Sequence, residues 1–439
     1  MPLILDQAMN ILLIENVWMG KRKLKFFEKL LLTFFSILPT LHARQIAAMT
    51  PKNHTIHVLN ERYESIDFKK SYDLVHINFT TSTAPRAYEI ADKFKAKKIT
   101  VTLSGAHASS LPYEALQHGD AVLLGRGELN WPTLLKDFQQ NRLKKIYPSP
   151  PYDTNCNLPA TAIKLPGFII TAAIEATRGC PYRCEFCPES QNNTKPLYYK
   201  RPIDDVIKEI KSIPQKTLQF YDSSLTIDPD YTKQLFRQMK GLGKKFFCNG
   251  NVDILACDDE LLKCAKEAGC IAWLIGFESI SQDTIDSIGK ITNTTQYYEK
   301  AIKKIHSNKM AVIGCFIFGF DSETPAVFEQ TLYAIQKMNV DICDFCVLTP
   351  LPGTALYKRL ESESRLLTKN WEKYNLKTVV FQPKQMTPDQ LQRGIQKMYR
   401  HFYSPFSIIT RILGSIHLGF FAFFVVTVRT IIALMNSKR

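Results

Sequence analysis

The sequence predicts an α/β protein in two parts: a doubly wound, Rossmann-like parallel sheet, then a partial (β/α)6 barrel of TIM type, with a helical, apolar C-terminal tail. Short apolar runs alternate with helical stretches over residues 1–146, a proline-rich break follows, and the alternation resumes in six longer strand-helix units. At 439 residues the chain is long enough for two or three domains, each able to bury its own core.

In the first domain, residues 1–146, strands are read at ILLIE from Ile11, HTIHVL from His54, DLVHINF from Asp73, ITVTLSG from Ile99 and AVLLG from Ala121. The stretch from Ala84 has apolar residues at helical spacing and ends in lysines, which suits the negative end of a helix. Residues 147–166 (YPSPPYDTNCNLPATAIKLP) lack periodicity and are rich in turn formers, so they read as a linker. Residues 167–386 supply the barrel, with strands at FIITAAIEA, TLQFYDS, KFFCNG, AWLIGFES, AVIGCFIFGF and DFCVLTPLPG. The site of such a barrel is expected at the C-terminal ends of its strands.

Residues 387–439 form a C-terminal helical region. Within it residues 412–428 (ILGSIHLGFFAFFVVTV) carry no formal charge and are flanked by Arg411 and Arg429. An interfacial or re-entrant membrane anchor is the leading reading, with a bilayer span and a buried helix as alternatives. A second apolar segment, residues 21–42, has a basic start and a body too short to span, and fits a core helix or a membrane contact equally well. Lys and Arg outnumber Asp and Glu by 56 to 41, and the +15 excess calls for an acidic partner. Nucleic acid is disfavoured because no appended RNA-binding module is read. Eleven cysteines dispersed through a long chain without a cleavable signal point to the reducing cytoplasm, at the membrane's cytoplasmic face. The Asn-x-Ser/Thr matches at Asn53, Asn78 and Asn293 then read as chance.

The strongest chemical signal is CPYRCEFC, which spaces Cys180, Cys184 and Cys187 as C-x-x-x-C-x-x-C just after a strand. Thiolates hold iron-sulfur clusters, and a cubane normally takes four. Three in one loop leave one iron open to chelate S-adenosylmethionine and pass an electron to its sulfonium, giving methionine and a 5'-deoxyadenosyl radical. A structural zinc site would favour two C-x-x-C halves and closed tetrahedral ligation, and no second half follows Cys187. Cys343 and Cys346 form a C-x-x-C inside a predicted buried strand and read as small hydrophobes, as do Cys248, Cys257, Cys264, Cys270 and Cys315.

With these residues in place, the sequence resembles the radical S-adenosylmethionine enzymes, in particular the branch with an N-terminal cobalamin-binding-like domain. The resemblance covers residues 70–405. It implies that Phe186 lies beside the adenine, that Asp222 in FYDSS approaches the methionine amino group, and that Glu278 and Ser279 of GFES face the ribose or the substrate. It also implies that Gly314 and Gly319 pack near the adenine, although glycines in a strand equally mark close packing alone, and that TPLPGT from Thr349 is a turn of this branch. Asp222 has a plainer reading as a helix cap. A carboxylate after WLIGF is costly unless it faces a polar cavity or a partner, which favours a functional Glu278.

In the first domain, the segments around SGAHASS and GRGE resemble the cobalamin-binding domain. A doubly wound sheet binds ligands outside the carboxyl ends of its strands, at Ser104, Gly105, Gly125, Gly127 and Glu128 here. The glycines would let a bulky cofactor approach the backbone. The D-x-H-x-x-G ligand motif is absent from the loop after the first strand, which reads ENVWMGKRK, so a histidine-ligated cobalamin is not expected. His107 is a weak substitute, more simply a solvated loop residue. The resulting expectation is a membrane-associated radical enzyme with a 4Fe-4S cluster, S-adenosylmethionine and, where cobalamin is present, C-methylation of an apolar or lipid-like substrate. It would draw electrons from a flavodoxin or ferredoxin. The competing readings are a membrane-docked iron-sulfur electron carrier and a radical enzyme acting on RNA.

Overall fold

The computed structural model describes residues 7–15, 40–61, 64–125, 127–149, 171–190 and 198–437. Most of the expected linker, the loop after the first strand and all but the last three residues of the 21–42 segment lie outside them. The chain divides into two compact units.

The first unit takes in the described residues before Thr171 together with Leu351–Gly353 and Asn370–Asn375. Its six strands are β1 (Asn10–Glu15), β2 (Thr55–Asn60), β3 (Leu74–Asn78), β4 (Thr100–Ser104), β5 (Ala121–Leu123) and β6 (Ile146–Tyr147). They form one parallel sheet in the order β2-β1-β3-β4-β5-β6. Alternation along β1 divides the core between the two faces of the sheet. Leu12 and Ile14 pack with Tyr88, Ile90 and Phe94, whereas Ile11 and Leu13 pack with Ile46, Trp131 and Leu134. The helix Ala84–Lys95 buries Ala84, Ala87, Tyr88, Ile90, Ala91 and Phe94 and leaves Lys93 and Lys95 in its last turn. The order reverses between β1 and β3, which opens the crevice where such a sheet takes ligands.

The second unit carries six parallel strands in the order β14-β13-β12-β11-β10-β7. These are β7 (Thr171–Ile174), β10 (Thr217–Phe220), β11 (Lys245–Asn249), β12 (Cys270–Glu278), β13 (Ala311–Phe318) and β14 (Ile342–Val347). Two short strands missed in the sequence, β8 (Thr177–Arg178) and β9 (Tyr199–Lys200), pair antiparallel around the cysteine loop.

The barrel strands show period-two burial. Phe246, Trp273, Phe277, Phe318 and Phe345 turn outward and are buried under helices, against Phe236, Tyr298, Phe328 and Phe402. Their neighbours Phe247, Asn249, Leu274, Gly276, Cys315, Ile317, Asp344 and Cys346 face the concave side and are half-buried. The amino-terminal parts of the same face, at Ala272, Ala311, Ile313 and Ile342, are covered by Leu418, Ala422 and Val426.

Those covering residues belong to the tail, which is not one apolar run. It is a helix Pro405–Ser415, a single turn Ile416–Leu418, a break at Gly419 with φ of +91°, and a helix Phe420–Ser437. The positive φ favours glycine and ends the first apolar stretch. No helix among the described residues is long and apolar enough to cross a membrane.

Candidate active site

The site grows from the loop that leaves the β8 strand. Glu175, Thr177 and Arg178 fix its base. Arg178 Nε donates to Glu175 at 2.6 Å, with both side chains buried. Asp222 accepts from the Ala176 and Thr177 backbone N–H groups and from the Thr177 hydroxyl at 2.7 Å. Burial first, and then the Glu175 carboxylate, push Asp222 up to about 7. Its carboxyl is therefore turned inward and spent on the strand that precedes the cysteine loop, rather than open to a ligand. Nor does it cap the next helix, which is capped by Asp228.

Beyond that base the chain folds back so that the Cys187 N–H donates to the Cys184 carbonyl at 3.1 Å. The three thiols interact electrostatically. Burial raises the pKa of each, that of Cys187 to about 11; neighbouring thiols raise them further, and Lys290 lowers all three. Among the described residues no three His, Cys, Asp or Glu side chains converge to hold one metal ion. A cubane puts each thiolate on a different iron and needs no convergence on a single ion. The donor set, three thiols facing a lysine, fits a cluster of that kind.

Two clamps hold the loop from outside. The Glu185 N–H donates to the Ile288 carbonyl, and the Glu185 carbonyl accepts from the Leu356 N–H, each at 3.1 Å. Arg359 grips the Glu185 carboxylate with two nitrogens at 2.5 and 3.1 Å, and its third reaches Asp321 at 2.7 Å. Arg365 also bonds Asp321 at 2.6 Å. Burial alone would raise Asp321, but Arg365 and Arg359 hold it down to about 2.

Glu278, at the end of β12, has φ of +60°, and its register with β13 slips there. A non-glycine residue in this region stores strain of about 1–3 kcal/mol, which the surroundings must enforce. Lys290 Nζ donates to its carboxylate at 2.7 Å. Burial would depress Lys290; Glu278, and after it Cys184, more than reverse this. Asn293 Nδ2 donates to the carbonyls of Gly276 and Phe277 at 2.8 and 3.1 Å, and the Tyr298 hydroxyl to those of Phe277 and Ser279 at 2.8 and 3.0 Å. Asn293 is thus a buried brace of this strand end. Ser279 Oγ lies 3.4 Å from Glu323, which also accepts from the Gly319 and Phe320 N–H groups at 2.8 and 3.1 Å. Burial pushes Glu323 up to about 7.

The remaining expected residues divide. The Phe186 ring lies 6.3 Å from that of Phe320 in the cysteine loop's surroundings. Gly319, with φ of +110°, is pressed by Leu391 and Phe381. Gly314 turns outward: a Cβ there would meet Phe277, Phe316 and Val340 at 3.1 Å, so it serves the outer aromatic layer rather than the concave side. Cys343 is buried, but Cys346 and Cys315 face the concave side and Cys257 is exposed. Lys290, Asn293 and Glu323 escaped the sequence reading because each lies in a loop with no periodic signal.

At the carboxyl edge of the first sheet, near the β1/β3 crevice, buried Glu15, His76, Ser104 and Glu128 form a polar cluster with half-buried Thr40 and His42. Glu15 accepts from the Thr40 N–H at 2.8 Å and from its hydroxyl. Ser104 Oγ lies 2.9 Å from His76 Nε2, and His42 Nδ1 3.6 Å from Glu128. Burial, then His42, drives His76 well below the ordinary histidine range. The polar donors at this edge are compatible with the amide-rich rim of a corrin. The glycines, however, answer to the protein's own packing: a Cβ on Gly105 would sit 2.1 Å from the Phe79 carbonyl, on Gly125 2.8 Å from Ser149 and on Gly127 2.8 Å from Leu123. His107 is fully buried, 3.0 Å from Glu114 and edge-on to Trp371, so it is a core residue rather than a solvated or ligating one.

Residues 174–334 match the family model described as the Radical SAM superfamily, and residues 354–418 one described as a domain of unknown function (DUF4070). The bacteriochlorophyllide d C-12(1)-methyltransferase of Chlorobaculum tepidum is 30% identical over 396 residues, which cover 85% of this chain and 84% of that protein. The C-8(2)-methyltransferase of the same organism is 29% identical over 390 residues, 84% and 86% of the two chains. Among solved structures, the radical S-adenosylmethionine methyltransferase TsrM of Kitasatospora setae, with cobalamin and a [4Fe-4S] cluster bound, shares the fold. Its TM-score is 0.63, over 81% of this chain and 78% of that one, at 15% identity.

The Arg359 clamp yields a test. Outer partners of a metal-binding loop typically affect affinity or activity about 10- to 100-fold. Arg359→Met is expected to lower iron retention on dilution by about tenfold with unchanged far-ultraviolet circular dichroism, and Arg359→Lys to restore part of it. Iron retention equal to that of the unaltered chain in Arg359→Met would contradict the clamp.

Proposed function

This chain belongs to the radical S-adenosylmethionine superfamily, and from that premise we propose that it is a cobalamin-dependent C-methyltransferase acting on an apolar, lipid-like molecule. As a member it is an enzyme that binds a 4Fe-4S cluster and S-adenosylmethionine. The cluster, when bound, supplies the electron that splits the sulfonium and yields the 5'-deoxyadenosyl radical. Cobalamin, when bound, supplies the methyl group.

The observation that carries the reading is the arrangement of Cys180, Cys184 and Cys187 beside the Lys290–Glu278 pair, at the carboxyl end of a concave face that is largely apolar and partly open. Cys180, Cys184 and Cys187 are the cluster ligands in this reading, and Lys290 offsets the negative charge they carry. Glu323 and Asn293 keep the ends of β12 and β13 in place, so that Glu278 and Ser279 are presented without moving when ligands arrive. Leu274, Ile317 and the half-buried cysteines offer an apolar wall against which a substrate carbon is held while water is kept from the radical. In the first unit Ser104, Glu128 and His42 are the proposed contacts for cobalamin. The methyltransferases named for bacteriochlorophyllide d support methyl transfer as the reaction.

We further propose that the second unit docks on an anionic membrane surface. Phe406, Ile409, Leu413, Ile416, Phe420 and Phe424 are all exposed, Phe406 by 79%, and recur at helical spacing along the tail. Lys245 lies over the Phe421 ring, 4.7 Å from its centroid. Lys266 is lowered first by partial burial and then by Lys245 and Lys309, so these cations crowd together. An apolar ridge beside clustered lysines is the composition that binds an anionic interface.

Anaerobically reconstituted protein with dithionite and S-adenosylmethionine should form 5'-deoxyadenosine, and a Cys184→Ala variant should form none. S-adenosylhomocysteine that appears with cobalamin and a hydrophobic acceptor supports methyl transfer; deoxyadenosine formed with no S-adenosylhomocysteine under those conditions would sink it. In sedimentation with vesicles, binding is expected to phosphatidylglycerol-containing bilayers and to fall by about 100-fold or more when Phe420 and Phe424 are both replaced by Ser, since each large apolar side chain contributes about 1.5–3 kcal/mol when buried. Equal binding by the double variant would remove the docking proposal.

A further inference from the structure

The tail does more than cover the amino-terminal half of the concave face. The stripe Leu418, Ala422 and Val426 that packs on Ala272, Ala311, Ile313 and Ile342 continues, one turn on, into Arg429 and Thr430. Thr430 is only 1% exposed, and its hydroxyl has no hydrogen-bond partner among the described residues. Arg429 is half-buried and makes no hydrogen bond or ion pair with another described residue, yet its charge acts on the Cys315 thiol. Cys315 stands in register with Gly276 on one side and Asp344 on the other, on the half-open part of the concave face. A guanidinium that acts on a lumen residue and, beside it in the helix, a buried hydroxyl thus have no partner among the described residues, next to a lumen otherwise walled by Leu274, Ile317, Cys315 and Cys346.

A buried hydroxyl without a partner is costly, and a guanidinium is built to grip a carboxylate or phosphate with two parallel bonds. We infer that Arg429 and Thr430 form the anion-binding end of the substrate lumen, so that the substrate is an amphiphile whose apolar body carries a carboxylate or phosphate. This rests on the reading that the substrate occupies the barrel's concave face. The anionic group anchors near Cys315 and the apolar body extends along Ile317 toward the carboxyl ends of the strands, where the cysteine loop lies. Asp344, in register with Cys315 on the same wall, acts on that thiol in the opposite sense to Arg429, and its negative charge disfavours a ligand whose charge is displaced toward β14.

The test uses the reconstituted full chain and 1-pyrenebutanoate, a flat apolar probe with one carboxylate, against its methyl ester, with affinity read from fluorescence anisotropy. Arg429→Gln is expected to weaken the acid about tenfold, the loss of one charged hydrogen-bonding partner, and to leave the ester unchanged. Thr430→Val should weaken the acid less, and Asp344→Asn should leave it unchanged or tighten it. Equal weakening of acid and ester, or no change in either, overturns the inference. So does a pattern in which Arg429→Gln and Asp344→Asn lower the melting temperature alike without affecting the acid, which marks an internal pair that only stiffens the tail. Deoxyadenosine formed without any substrate is followed in the same variants. Its absence from the unaltered chain defeats the radical reading, whereas its presence with no acid preference defeats the anion site alone.

Discussion

Everything at the active site depends on how three thiols are held together in one short loop. Cys180, Cys184 and Cys187 raise one another's pKa and are raised further by burial, so their thiolate forms are favourable only beside positive charge. The chain supplies one such charge, Lys290, and fixes it with Glu278, which is itself locked in a strained backbone conformation. This explains the amount of structure spent on immobility: Asp222 on the base of the loop, Arg359 on Glu185, Asn293 and Tyr298 on the carbonyls before Glu278, and Glu323 between β12 and β13. Cluster ligands placed by such braces need little reorganisation when iron binds.

The barrel places that loop above a face of mixed character. Outward positions of β11–β14 are filled with aromatic residues, which leaves the concave positions free to be smaller and softer. The tail fills the lower part of the concavity and stops being purely apolar where it reaches Arg429 and Thr430. One segment therefore has two surfaces of different use: Ala422 and Val426 turn toward the barrel, while Phe420 and Phe424 turn to the outside. The break at Gly419 lets the two helices of the tail take different directions, which a single continuous helix could not.

The strands of both sheets were legible because parallel strands, covered on each face, read as apolar runs, and ILLIE, AWLIGFE and AVIGCFIF need no tertiary information to be recognised. β6 and the β8–β9 hairpin were not, since two residues carry no period. The cysteine spacing was legible for the same local reason, and Glu278 because a carboxylate after an apolar strand calls for a partner. Asp222 shows the limit: its position after a strand was clear, but nothing in FYDSS reveals that its oxygens meet the backbone of residues 176 and 177, far away in sequence. For Gly314 the sequence left close packing and a cofactor contact open, and its parity with Phe316 and Phe318, which pack outward, favours the packing reading. Gly105, Gly125 and Gly127 were read as room for a cofactor; the close contacts with Phe79, Ser149 and Leu123 that also call for glycine there come from distant residues that the local sequence does not show. The single apolar run at 412–428 was a fair reading of composition that ignored the stop at Gly419.

The central claim is that three cysteines leave one iron of the cluster open to S-adenosylmethionine. Electron paramagnetic resonance of the dithionite-reduced, reconstituted protein, recorded before and after addition of S-adenosylmethionine, addresses it directly. The account predicts a reduced 4Fe-4S signal whose g-values shift when S-adenosylmethionine is added, with coupling to the nitrogen of an amino-labelled sample. A verified cluster whose spectrum is the same with and without S-adenosylmethionine, and which shows no nitrogen coupling, would contradict it.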